Sequence, residues 1–221
     1  MTSSELWGCW IYLFVDFFLL PVAIDLINAS LSVPLSDAVM NFLYFSVNFI
    51  CLAVICRRFL LKSLKSAATA PFRCLKAAFF GFLLLRISQF IIGYITVLLL
   101  PDFVNQNDQS IAGIVEQNPL LIRLGVILLV PLAEEVLFRG LIFRELYGKN
   151  KVAAYLISSA AFCAIHLIQY LPLYDPITLL FSFLQYLPAG LCLGWAYVKA
   201  DTIIAPILIH MTINQIGMSI I

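Results

Sequence analysis

The chain has 221 residues, 63% of them hydrophobic and only 11% charged, and its mean hydropathy is +1.03. Such values lie outside the range of water-soluble domains and predict an integral membrane protein. A formal net charge of +1 excludes the strongly basic surface expected of a nucleic-acid partner, and the length suits one membrane domain over residues 1–221.

In chain order, seven apolar segments have the roughly 18 to 25 residues that a helix needs to cross about 30 Å of hydrocarbon. They cover approximately residues 7–27, 38–56, 77–100, 120–145, 152–171, 177–198 and 203–221. The leading MTSSELW has no basic stretch and no small-residue cleavage pattern, so the first segment is predicted to stay attached as a transmembrane helix. The predicted fold is all-α: a polytopic transmembrane helical bundle with about seven spans. The stretch 101–119 has room for a short interfacial helix.

Arg57, Arg58, Lys62, Lys65, Arg73 and Lys76 fall between the second and third segments, Arg144, Lys149 and Lys151 around the turn after the fourth, and Lys199 after the sixth. These are alternate connections, and the intervening ones contain no Lys or Arg. The bias predicts a multi-pass protein of the cell membrane with a cytoplasmic N-terminus and its C-terminus on the outer side. The six cysteines, Cys9, Cys51, Cys56, Cys74, Cys163 and Cys192, show no metal-ligand spacing and read as reduced packing residues.

Few charges remain inside the apolar segments, and each central one costs roughly 2.5 to 3.5 kcal/mol on insertion scales, so they are expected to be paired or functional. Asp16 and Arg86 lie at similar depth, which makes them candidates for a structural pair. Glu135 and Arg139, four apart, lie on one helix face in the order that favours an ion pair. Glu134 is turned about 100 degrees away and must find its partner across the bundle.

His166 and His210 are the two histidines of the chain, both predicted within helices. A lone intramembrane histidine ordinarily serves as a hydrogen-bonding residue between helices. Depth argues for more: counted from the cytoplasmic ends, Glu134 lies about 17 Å into the bundle, His166 about 21 Å and His210 about 11 Å. Asn214 follows His210 by one helical turn, and Phe162 precedes His166 by one. A glutamate, two histidines and an asparagine that converge in an apolar interior suit the activation of water.

On these residues the chain resembles a known family. AEEVLFRG is similar to its EExxxR motif, SSAAFCAIH to FxxxH and PILIHMTIN to HxxxN, in that order on three separate segments. The family is that of the CPBP intramembrane proteases, which includes the CAAX prenyl proteases and Abi-type bacteriocin-processing or immunity proteins. The likeness covers residues 120–221. It implies an endopeptidase, open to the cytoplasmic side, in which Glu134, assisted by His166, is the base that activates water. His210 and Asn214 would donate to the oxyanion. Glu135 and Arg139 would hold the helix in rotation and Phe162 would wall the site. The implied partners are a peptide or protein substrate, lipidated in some members, and membrane lipid.

Two His and one Glu with an open position also form a catalytic zinc set. If a metal is bound, its ligands are Glu134, His166 and His210; the lack of an HExxH spacing favours no metal and no cofactor. Two rival functions share the same residues: a non-catalytic immunity or peptide-binding protein, and a proton-coupled transporter. Pro131 removes one backbone donor and reads either as an ordinary kink or as a bend that admits water. Gly190 and Gly194 read as close helix packing, Ser158 and Ser159 as small packing residues, and Cys163 as pointing away from His166.

Overall fold

A computed structural model describes residues 1–220. The all-α expectation holds: the described residues form nine helices and no strand. These are α1 (Ser3–Ser30), α2 (Asp37–Ile55), α3 (Arg57–Thr69), α4 (Pro71–Leu99), α5 (Gln106–Gln117), α6 (119–147), α7 (Lys151–Ile165), α8 (Pro176–Ala200) and α9 (Ile204–Ile220). The seven predicted segments fall on α1, α2, α4, α6, α7, α8 and α9. Ile221, the end of the seventh, lies outside the described residues.

Four helices, α1, α2, α4 and α8, are long and apolar enough to cross a membrane by themselves, against the seven crossings expected. The shortfall has a physical origin. With 15 and 17 residues, α7 and α9 are short, and α6 carries the buried charges of EExxxR. At about 1.5 Å per residue α7 reaches about 22 Å, less than the hydrocarbon thickness.

The basic stretch read as a connection is α3, which buries Phe59 and Ser63 and turns its lysines and arginines outward. The stretch after α4 does contain a helix, α5, whose N-cap Asn105 accepts from the backbone N–H groups of Asn107 and Asp108. α4 packs on α8 and α9, α7 packs on α8, and α1 packs on α2. At the end of the bundle that holds α3, Cys9, Leu52, Cys56, Phe59, Val136 and Ile203 form a continuous apolar core. All six cysteines are free, and five are buried.

Two prolines reshape their helices. Leu20 N–H bonds the Val15 carbonyl and Val130 N–H bonds the Gly125 carbonyl, each five residues back, so a π turn precedes both Pro21 and Pro131. A proline ring collides with the carbonyl four residues earlier, and the wider π turn relieves that collision. Beyond Pro131, a second π stretch, Val136–Phe143, follows Glu135 directly.

Close packing accounts for AGLCLG. A Cβ on Gly190 would lie 2.6 Å from the Ser159 Cβ, so Gly190 lets α8 press against α7. The neighbouring Ser158 donates its hydroxyl to the Phe138 carbonyl at 2.9 Å.

The Asp16–Arg86 pair does not form. The Asp16 carboxylate accepts from the Tyr44 hydroxyl at 2.8 Å, whereas Arg86 donates to Gln89 at 3.1 Å. Equal depth was not enough, because α1 packs on α2 while α4 packs on α8 and α9. The two residues stand on different walls of one cavity.

Candidate active site

The EExxxR segment behaves as its periodicity requires. Glu135 and Arg139 are fully buried, and Arg139 Nη1 donates to Glu135 Oε1 at 2.8 Å. Arg139 also donates to the Ala189 carbonyl of α8 at 3.1 Å, and its guanidinium lies 4.6 Å from the centre of the Phe162 ring. Phe162 therefore does more than wall the site. Its π face receives the arginine, and its edge-to-face contact with Phe138, centroids 5.4 Å apart, ties α7 to α6.

Glu135 has a second partner. Its Oε1 lies 2.9 Å from His210 Nδ1, which brings α9 onto the ion pair. A carboxylate paired with arginine has only acceptor oxygens, so the proton of this bond belongs to Nδ1. The other ring nitrogen, Nε2, then faces Glu134, whose Oε2 is 3.8 Å away. That Glu134 oxygen is buried and makes no hydrogen bond to another described residue. A buried carboxylate oxygen without a protein partner beside an imidazole nitrogen is the feature a water-activating centre needs.

Asn214 is in the site but is partly engaged. Its amide donates to the Val126 carbonyl at 2.8 Å. That carbonyl is orphaned by the sequence: in the π register its donor would be Pro131, which has no N–H. The second amide hydrogen of Asn214 remains for another acceptor.

His166 is not inside a helix, as predicted, but caps the end of α7, after which the chain tightens through a 3-10 turn at Ile168–Tyr170. Pro172 prevents the helix from running on past Leu171. The His166 ring lies 5.0 Å from the Phe162 centroid and 4.3 Å from that of Tyr186, and no ion pair joins it to Glu134 among the described residues. Glu134, His166, His210 and Asn214 all line one cavity of about 1020 Å³.

Tyr186 escaped the sequence reading, since it sits in an apolar helix with no motif around it. Besides the edge contact of its ring with His166, its hydroxyl accepts from Asn107 at 3.1 Å and lies 3.0 Å from Asp108. With Asn105 donating to Gln185 at 2.8 Å, this pins α5 to α8 beside the cavity.

The cavity has a closed and an open end. Its lining residues Asn48, Ala133, Leu137 and Phe138 are buried, whereas Asp25, Arg86, Asp108, Ser110 and Gly217 are exposed. Asp25, Asp108, Ser110 and Gly217 belong to the end of the bundle that carries α5, opposite the basic connections, and Arg86 stands midway along α4.

As placed, no three His, Cys, Asp or Glu side chains among the described residues are grouped to hold a metal ion. The two histidines and Glu134 do not stand together as a set of zinc ligands.

The sequence model of the family described as "Type II CAAX prenyl endopeptidase Rce1-like" matches residues 116–216, the span that holds the three motifs. "UPF0177 protein YxdF" of Lactococcus lactis is 32% identical over 133 residues, 58% of this chain and 67% of that protein. "Putative membrane peptidase YdiL" of Bacillus subtilis is 33% identical over 112 residues, 50% of this chain and 41% of that protein. No solved structure matches the chain. With EExxxR, FxxxH and HxxxN set around one cavity, these likenesses identify the chain as a member of the CPBP family of intramembrane proteases.

Proposed function

We propose that this protein is an endopeptidase that hydrolyses a peptide bond below the membrane surface with a water activated by Glu134. The observation that carries this reading is the disposition of Glu134 Oε2 and His210 Nε2, 3.8 Å apart in one cavity, with the far side of the imidazole fixed by Glu135. One water between them can give its proton to the carboxylate while its oxygen attacks the scissile carbonyl carbon. The C–N bond then breaks, and the proton held by Glu134 passes to the departing amine. Base catalysis of this kind contributes roughly 10² to 10⁴ in rate.

His210 has two states with different uses. Neutral, with its proton on Nδ1, it offers Nε2 as an acceptor and helps to orient the water. With both nitrogens protonated, it donates from Nε2 to the oxyanion, a contribution of about 10² to 10³. The free amide hydrogen of Asn214 is the second donor. His166, packed between the rings of Phe162 and Tyr186, assists Glu134 from the α7 side. Substrates are peptides, and the protein works as a multi-pass resident of the cell membrane with its N-terminus in the cytoplasm.

The test is mass spectrometry of membrane peptides from cells that carry the wild type or Glu134→Gln. Cleavage products present only with the wild type are expected. An unchanged peptide population, with a biological effect retained by Glu134→Gln, would favour a peptide-binding role instead.

A further inference from the structure

We infer that the site receives its substrate from the extracytoplasmic side and selects peptides that carry positive charge. The inference takes the word substrate from the protease reading; the side of access rests on the shape of the cavity together with the charge bias of the connections. The cavity is stopped at one end by the core of Cys9, Leu52, Cys56, Phe59, Val136 and Ile203. Its mouth is built by the outer part of α1, by α5 and by the last turns of α9, through the exposed residues Asp25, Asp108, Ser110 and Gly217. The short α7 makes room for it, because the helix stops at His166 instead of running on to fill that half of the bundle.

The stopped end is also the basic end. Ten of the 13 Lys and Arg residues of the chain (six at 57–76, three at 144–151, and Lys199) flank it, and the connections at the mouth have none. Cations at this end also sit near aromatic rings, Lys199 6.0 Å from Trp195 and Lys151 5.7 Å from Tyr147, as is common where amphipathic side chains meet the lipid surface. Positive-inside orientation puts that end in the cytoplasm and the mouth outside. A cytoplasmic C-terminal peptide would meet a closed surface.

The same walls set the charge preference. At the mouth the exposed Asp25 and Asp108 line the cavity, and the one guanidinium of the lining, that of Arg86, is bonded to Gln89. A cleft with an excess of one sign concentrates ligands of the other. Lysine- or arginine-bearing peptide segments fit these walls, and acidic ones are repelled.

Access is tested by thiol labelling that needs no catalysis. One further cysteine is added at the mouth (Ser110→Cys) or at the basic end (Lys65→Cys), the unsubstituted chain with its own six cysteines gives the background, and intact cells receive a membrane-impermeant maleimide. Label on Ser110→Cys in intact cells, and on Lys65→Cys only after lysis, is expected. The reverse pattern overturns the inference and leaves the protease reading standing. Charge preference is read on Glu134→Gln protein in micelles, with a lysine-rich and a glutamate-rich peptide of equal length as probes. The lysine-rich peptide is expected to bind about tenfold more tightly, an advantage lost in an added Asp25→Asn/Asp108→Asn pair. Equal binding of the two probes, or binding of neither, contradicts the charge preference. Outside labelling with no peptide product from the wild type would sink the protease reading alone.

Discussion

His210 Nδ1 lies 2.9 Å from Glu135 Oε1, the same oxygen that receives Arg139 Nη1 at 2.8 Å. One buried carboxylate oxygen thus fixes both an arginine of its own helix and an imidazole of α9. The adjacent Glu134 is left without a hydrogen-bond partner at its Oε2. Two neighbouring glutamates have different partners because a turn of 100 degrees per residue sends them to different surroundings.

Glu135→Gln should therefore act first on stability. It strands Arg139 in a fully buried position, and breaking one side of a buried pair costs about 3 to 5 kcal/mol. Glu135→Gln combined with Arg139→Met should be less destabilised than Glu135→Gln alone, as measured by thermal unfolding in detergent. Equal melting points for the single and double variants would show that the pair is not coupled.

Asn214→Ala removes the donor to the Val126 carbonyl and should lower stability by about 1 to 3 kcal/mol. Restoring a backbone donor through Pro131→Ala should shrink that loss, since the orphaned carbonyl then has an alternative partner. An oxyanion role makes a different demand: the fall in kcat with Asn214→Ala should persist in the Pro131→Ala background. A double-mutant cycle that reads unfolding and kcat together separates the two duties.

At Gly190 the contact with α7 leaves no room for a methyl group, with Ser159 Cα 2.8 Å from the Cβ position. Gly190→Ala should destabilise by about 1 to 3 kcal/mol through overpacking. Gly113→Ala, where nothing lies within 4 Å of the new atom, is the matched control and should not lower the melting point.

Much of this site was legible because it obeys helical periodicity. The pairing of Glu135 with Arg139, the position of Phe162 before His166 and the packing of Gly190 all follow from spacings of three or four residues. What the spacing did not carry was the end of α7. No glycine or asparagine marks a cap at His166, and the one breaker, Pro172, stands six residues farther on. The π turns at Gly125–Leu129 and Val136–Phe143 were equally hidden, although Pro131 is the physical cause of the first. Asp16 and Arg86 failed to pair because depth is readable from sequence and helix-to-helix rotation is not. The direction in which the cavity opens depends on where a short helix leaves space, a property of the assembled bundle.

Purified protein should carry no stoichiometric zinc and should keep its activity after treatment with a chelator. Elemental analysis and an activity assay on the same sample check this. Loss of activity on chelation with recovery on adding zinc would require Glu134, His166 and His210 to draw closer than they stand here.

The central claim is that Glu134 removes the proton from the attacking water. Initial rates of hydrolysis of one peptide by purified wild-type and Glu134→Gln protein test it most directly, with matched melting points to show that both are folded. The account predicts a fall of roughly 10² to 10⁴ in kcat. A Glu134→Gln protein whose kcat stays within about tenfold of wild type would contradict it, since so small a change lies below the range expected for loss of a general base.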